Sequence, residues 1–273
     1  MTREFVVAYR RGYADDVILY KYLPPERIDV LQGCLVAFTP PWLFNDPFEA
    51  RPVFPPDAPA AIALYEEARP RRAKLTKEEE SALQAQIDAI QKEHGLLRLT
   101  WEQAANSVGV LSLSEKCDCP LMWAHYTAQH AGFVIGFDTA HPDWVASGRL
   151  NGPPGEPRKV SYSQDRPNPA DMNEVTPGDV WYTKSSEWAY EREWRVTRWI
   201  SKARKTVESA SGDEIPLYEF PPEAVREVIL GQRATEFLEF MTLELVTKSP
   251  YKNVTLQRAE LDSKRFRLNI VPL

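Results

Sequence analysis

Glu191 and Glu193 stand two residues apart in Trp188-Ala189-Tyr190-Glu191-Arg192-Glu193-Trp194-Arg195, at the head of a strand-like run over residues 194–200. Side chains alternate along a strand, so carboxylates at i and i+2 share one face. Like charges this close repel unless a cation, a proton or a substrate separates them. Such a pair suits chemistry that stabilises a developing cation or removes a proton. A surface strand whose glutamates pair with Arg192, Arg195 or Arg198 would leave the same trace, because structural ion pairs also place charges like this.

Three further clusters carry reactive or recognition groups. Lys21 lies between Tyr20 and Tyr22 on an otherwise apolar strand, where it could hold a phosphate or ribose. Strand alternation alone would turn Lys21 to solvent and pack both tyrosines. Asn45-Asp46-Pro47 follows the second strand, and an Asx turn accounts for these residues without chemistry. Trp123, His125 and Tyr126 fall on one short helical stretch with Met122. Tyr126 could stack on a base or nicotinamide ring. His125 is equally a boundary residue of that helix.

The elements that must position these groups follow from the pattern. Strands are expected over residues 18–22, 34–39, 108–114, 132–138, 159–162, 194–200, 215–220, 225–230, 254–258 and 265–271. The nearly continuous apolar run at 132–138 reads as a central strand buried on both faces. Helices are expected over 26–32, stopped by Gly33, over 121–130, opened by Pro120 and closed by Gly132, and over 235–248. Residues 55–106 change character, and 77–93 form a charged helix with Leu83, Ile87 and Ile90 on one stripe. The basic run Arg69, Arg71, Arg72, Lys74 and Lys77 reads first as a solvated face. The whole is one α+β domain over 1–273, with flanking helices on a mixed or antiparallel sheet, split or continuous, and a helical insertion at 55–106.

Bulk properties narrow the class. Hydrophobic residues at 43% and charged residues at 26% are those of a soluble globular chain. A net charge of −6 gives no general pull toward nucleic acid or anionic membrane. No apolar run has membrane-spanning length, and the polar start lacks a secretory signal. Cys34, Cys117 and Cys119 make no disulfide framework and fit a reducing cytoplasm. The pair Cys117 and Cys119 has no second Cys or His pair at a usual zinc spacing, so no metal is expected.

No Gly-x-Gly-x-x-Gly, Walker loop, His-Glu-x-x-His or Gly-x-Ser-x-Gly is present. What recurs in order is Leu19-Tyr20-Lys21-Tyr22, Phe44-Asn45-Asp46-Pro47-Phe48-Glu49, Leu121-Met122-Trp123-Ala124-His125-Tyr126 with Gly132-Phe133, and the Glu191 block. These blocks resemble the bacterial domain-of-unknown-function family 2971, over roughly residues 18 to 231. That family carries no established activity. The resemblance implies a setting of phage conflict or toxin systems. A weaker resemblance is to the ADP-ribosyltransferase fold, through Lys21 on the first strand, Thr39 on the second and Glu191-Arg192-Glu193 on a later one. The first position is Lys where Arg or His is usual, and Thr39 lacks flanking serines.

Three functional readings stand side by side. The first is an NAD-consuming transferase or glycohydrolase. There Glu193 stabilises the oxocarbenium ion, Glu191 orients the nucleophile, Lys21 holds phosphate or ribose, and Trp123 or Tyr126 walls the nicotinamide. Tyr20, Tyr22, Thr39, Asn45, Asp46, His125 and Arg195 would complete the substrate site, NAD being the substrate and a protein or nucleic acid the acceptor. The second is a metal-dependent nuclease using Asp46, Glu49, Glu191 and Glu193. The third is a non-catalytic sensor or binding module whose helical insertion meets a partner or a second copy.

Overall fold

The computed structural model describes residues 18–53, 75–94, 96–141, 157–167, 177–209, 211–248, 250–251 and 253–273. In chain order the first elements are β1 (Ile18–Leu23), α1 (Asp29–Gly33), β2 (Leu35–Ala37), α2 (Lys77–His94), α3 (Leu96–Ser107), β3 (Val108–Ser114), α4 (Pro120–Tyr126) and β4 (Phe133–Asp138). There follow β5 (Arg158–Lys159), β6 (Ser161–Ser163), β7 (Thr183–Ser185), β8 (Glu193–Trp199), β9 (Lys205–Glu208) and β10 (Glu214–Glu219). The chain ends with β11 (Val225–Leu230), α5 (Glu236–Val246), β12 (Thr255–Leu261) and β13 (Leu268–Pro272). The fold is α+β, with helices and mostly antiparallel strands. Contacts group the chain into two compact units. Unit 1 is Met1–Cys34, Leu113–Ser147 and Phe220–Leu273, and unit 2 is Leu35–Ser112 and Gly148–Glu219.

Unit 1 is built on the strand order β13-β12-β11-β4-β1. All six residues of β4 are buried, as its apolar run requires of a strand covered on both faces. β1 runs antiparallel to β4, with Tyr20 opposite Gly136, and β11 and β12 are the parallel pair. The Tyr22 and Trp123 rings meet edge to face at 5.5 Å, and the Trp123 indole donates to the Cys117 carbonyl at 2.7 Å. Thr235 caps α5, its hydroxyl accepting from the Leu238 amide at 3.2 Å.

Two helices differ from the expected bounds. The stretch 26–32 divides into a 3-10 turn, Pro25–Ile28, and α1, and the left-handed residue that ends it is Cys34 (φ 51°) rather than Gly33. Helix α4 stops at Tyr126 instead of His130. The Thr127 hydroxyl donates to the Trp123 carbonyl at 2.5 Å, and the Ala131 and Gly132 amides both return to the Thr127 carbonyl. Between them Ala128, Gln129 and His130 take φ of 49°, 57° and 70°. Three consecutive left-handed residues without glycine each carry a steric cost that this closed loop offsets.

In unit 2, β8 lies between β3 and β5. A second sheet runs β2-β10-β9, and β6 pairs with β7 in parallel. Thr39 bridges to Val110 through both backbone hydrogen bonds. Ala50, Val108, Val110, Trp181 and Tyr182 form a core, against which Phe44, Ala104 and Trp199 pack. Helix α2 covers the charged stretch expected to be helical, and α3 follows it. Arg69, Arg71, Arg72 and Lys74 lie outside the described residues, as do the side chains of Ile87 and Ile90. Among the described residues no helix is long and apolar enough to cross a membrane.

Candidate functional site

Unit 2 buries five charged side chains in one group: Glu49, Lys184, Glu191, Glu193 and Arg195. Three short elements and a turn deliver them. Asp46 makes the Asx turn, its Oδ1 accepting from the Phe48 amide at 2.8 Å, and this turn sets down Glu49. Lys184 comes from β7. A 3-10 turn, Ser186–Glu191, delivers Glu191 as its last residue, and Arg192 follows at φ 44°. That left-handed residue, not strand alternation, brings Glu191 back to the side of Glu193. Alternation does hold within β8, where Glu193, Arg195 and Thr197 recur at every second position and all are buried.

Arg195, fully enclosed, is the hub. Its Nε donates to Glu193 Oε1 at 2.8 Å, its Nη2 to Glu193 Oε2 at 2.9 Å and to Glu49, and its Nη1 to the Trp181 carbonyl at 2.5 Å. The guanidinium plane sits 5.3 Å from the Phe44 ring centre. The two-pronged bond to Glu193 is the geometry for which a guanidinium is shaped. Lys184 Nζ donates to Glu191 Oε2 at 2.5 Å and Glu193 Oε2 at 3.1 Å, and lies 3.5 Å from Glu49 Oε2. The cation needed to separate the two glutamates is therefore this lysine. Trp188 covers it, with Nζ 5.0 Å from the ring centre. The Tyr162 hydroxyl accepts from the Glu193 amide at 2.8 Å.

Three carboxylates face two cations, so the group carries one negative charge in excess when all are ionised. Its carboxylates respond differently. Burial pushes Glu193 up, but Arg195 and Lys184, with hydrogen bonds from Arg195 and Ser112, outweigh it and hold Glu193 at about 2. Burial raises Glu49 above its ordinary value, against Arg195 and Lys184, and Glu193 and Glu191 add to the rise. Burial would lower Lys184, yet its three carboxylate neighbours keep it above the usual lysine range. Burial pushes the Tyr162 hydroxyl up to about 12.

These shifts set opposite pH limbs. The raised Glu49 contributes stability that is complete below its unfolded value near 4.5 and is lost as pH rises through its folded value. The depressed Glu193 contributes stability present above 4.5 and lost as pH falls toward about 2. Urea midpoints measured against pH should therefore fall on both sides of a maximum. In Glu49→Gln, which stays neutral, the descent on the alkaline side should flatten and the acid limb persist. An unchanged alkaline limb would assign the extra proton elsewhere.

The remaining sequence candidates are placed as follows. Thr39 is half-buried in the backbone bridge and Asn45 is exposed, both in unit 2 with the charge group. Tyr20, Lys21, Tyr22, Trp123, His125 and Tyr126 belong to unit 1. There Trp123 is fully buried, Tyr20 donates to Glu227 at 2.7 Å and the Tyr22 hydroxyl donates to the Lys116 carbonyl at 2.8 Å. Lys21 is half-buried and lies between them on β1. The His125 and Tyr126 rings meet edge to face at 6.2 Å. Among the described residues no group of three His, Cys, Asp or Glu side chains is arranged to hold a metal ion. Sequence reasoning missed Lys184, Ser112 and Tyr162. The only trace of Lys184 is a lone lysine seven positions before Glu191.

No curated protein and no solved structure matches the chain. A family model does match, over residues 122–196, a narrower span than the recurring blocks cover, and it takes in Lys184, Glu191, Glu193 and Arg195. The family that this model describes is protein of unknown function (DUF2971), and the match agrees with the sequence blocks that resemble it.

Proposed function

We propose that the chain is a non-catalytic sensor or binding module, and that the buried charge group is what holds unit 2 in shape. The supporting observation is that both oxygens of Glu193 are already engaged by cations and buried. Its Oε1 accepts from Arg195, and its Oε2 accepts from both Arg195 and Lys184, inside the unit's interior. A carboxylate that stabilises an oxocarbenium ion must turn an oxygen toward the sugar. The family resemblance supports placing such a module in phage defence or a toxin system.

One observation favours a second reading, the NAD-consuming, ADP-ribosyltransferase-like enzyme. Burial lifts Glu49 while its cations depress Glu193, and carboxylates pushed apart in this way can divide acid and base roles. In that reading Lys184 must release Glu191 and Glu193 when substrate enters.

Purified protein incubated with NAD, DNA and RNA, with and without EDTA, separates the readings. The binding module releases no nicotinamide and cleaves no nucleic acid, and Glu193→Gln acts on stability alone. Nicotinamide release by the parent that is lost in a still-folded Glu193→Gln would overturn it in favour of the enzyme. EDTA-sensitive cleavage would instead point to a nuclease.

A further inference from the structure

Unit 1 contains a cavity that the charge group does not use. Its volume is ≈ 400 Å³, and Ile18, Asp138, Arg226, Glu227, Asn253 and Thr255 line it. The sheet builds it at one end. β1 begins at Ile18 opposite the last residue of β4, Asp138. The parallel strands β11 and β12 both start here, with Glu227 opposite Thr255. The register between β4 and β11 slips between Val225 and Glu227, which makes Arg226 the extra residue of a bulge. Bulges re-aim side chains, and this one aims Arg226 at Asp138, Nη2 and Nε lying 2.5 and 3.2 Å from Oδ2.

That pair leaves one charge over. Asp138 is neutralised by Arg226, and its Oδ1 also accepts from the Ala140 amide at 3.0 Å. Glu227 receives only a neutral donor, the Tyr20 hydroxyl on Oε1 at 2.7 Å. No cation of the described residues pairs with Glu227. Gly136 clears the space for this arrangement: a Cβ there would lie 2.7 Å from Glu227 Cγ, 2.9 Å from Ile18 Cγ2 and 3.2 Å from Tyr20 Cε1. Among the described residues the cavity thus presents a carboxylate without a cation partner beside an amide, a hydroxyl and an ion pair, with a net charge of −1 from Asp138, Glu227 and Arg226.

We infer that this cavity binds a small organic cation, a primary ammonium compound whose charged end rests on Glu227. Asn253 and Thr255 supply hydrogen bonds to the remainder of the ligand. A bare metal ion fits less well, because no set of three acidic, His or Cys ligands converges among the described residues and the cavity is far larger than an ion needs. The inference is independent of whether unit 2 is catalytic.

The test is calorimetric titration of the full chain with 1,4-diaminobutane, and with 1,4-butanediol as the uncharged control of equal length. The diamine should bind saturably and more weakly as salt rises, and the diol should bind at least about tenfold more weakly. Glu227→Gln should weaken the diamine about tenfold, the effect of removing a charge-assisted hydrogen bond. Asn253→Asp, on an exposed turn, should tighten it by about threefold or more. Saturable binding that ignores these changes, equal binding of the diol, or no saturable binding of the diamine overturns the assignment. Should Glu227→Gln fail to fold, Asn253→Asp decides alone, and an unchanged affinity there refutes it.

Discussion

Replacing Arg195 with methionine is expected to lower the unfolding free energy by about 3–5 kcal/mol, the cost of stranding buried charge. Methionine keeps the bulk of the aliphatic stem but loses the contact with the Phe44 ring, which the guanidinium makes. What it removes is the guanidinium that donates to both oxygens of Glu193, to Glu49 and to the Trp181 carbonyl. The group would then hold three carboxylates around Lys184 alone. Urea unfolding followed by circular dichroism measures the loss. The size of the effect comes from the charge left behind and not from the bond broken, so a second change should reverse part of it. Arg195→Met combined with Glu193→Gln should be more stable than Arg195→Met alone, because the stranded anion is gone. If the double variant is the sum of its parts, the five groups do not act as one unit.

The second large effect is expected at Gly132. A Cβ at this position would lie 2.1 Å from the Leu23 carbonyl oxygen and 2.9 Å from Pro24 Cα. Both neighbours are backbone, at the end of the strand that pairs with β4, so neither can rotate away. Gly132→Ala should cost at least about 3 kcal/mol, toward the upper end of overpacking effects. Gly136→Ala is the control. Its nearest obstacles, Glu227 Cγ at 2.7 Å and Ile18 Cγ2 at 2.9 Å, belong to side chains rather than backbone, and the expected loss is smaller, about 1–2 kcal/mol. Thermal midpoints of the two variants, measured side by side, should differ in that order. Equal losses would mean that the β1–β4 junction can open to admit a methyl group.

The legible parts of the fold were those with strong local patterns. The apolar run of β4, the helix expected over 235–248 and the charged helix α2 follow from periodicity. The end of α4 did not, because Gly132 looks like a helix stop while Thr127 and a left-handed run end the helix earlier. The glycine serves a close backbone approach instead. In the charge group, Glu191 and Glu193 were visible as a pair, and Arg195 was named both as a partner and as a site residue. Their burial was not, since a strand of alternating charge reads as a solvated face. Lys184 and Glu49 join through tertiary packing from residues 7 and 146 positions away from Glu191 and Arg195. No local spacing encodes such contacts. The Asx turn that Asn45-Asp46-Pro47 predicts does form, and it is what delivers Glu49.

The distribution of two residue types gives each unit its own optical or chemical reporter. All three cysteines, Cys34, Cys117 and Cys119, are free and half-buried, and all belong to unit 1. Six of the eight tryptophans, Trp42, Trp101, Trp181, Trp188, Trp194 and Trp199, belong to unit 2. Thiol labelling thus times the opening of one half of the chain, while indole fluorescence is weighted toward the other. Burial holds the Cys117 thiol up at about 11, so at neutral pH its labelling is slow and tracks exposure. A denaturation series read through both channels would show whether the wild-type chain melts as one cooperative body or in two steps, with no engineered probe.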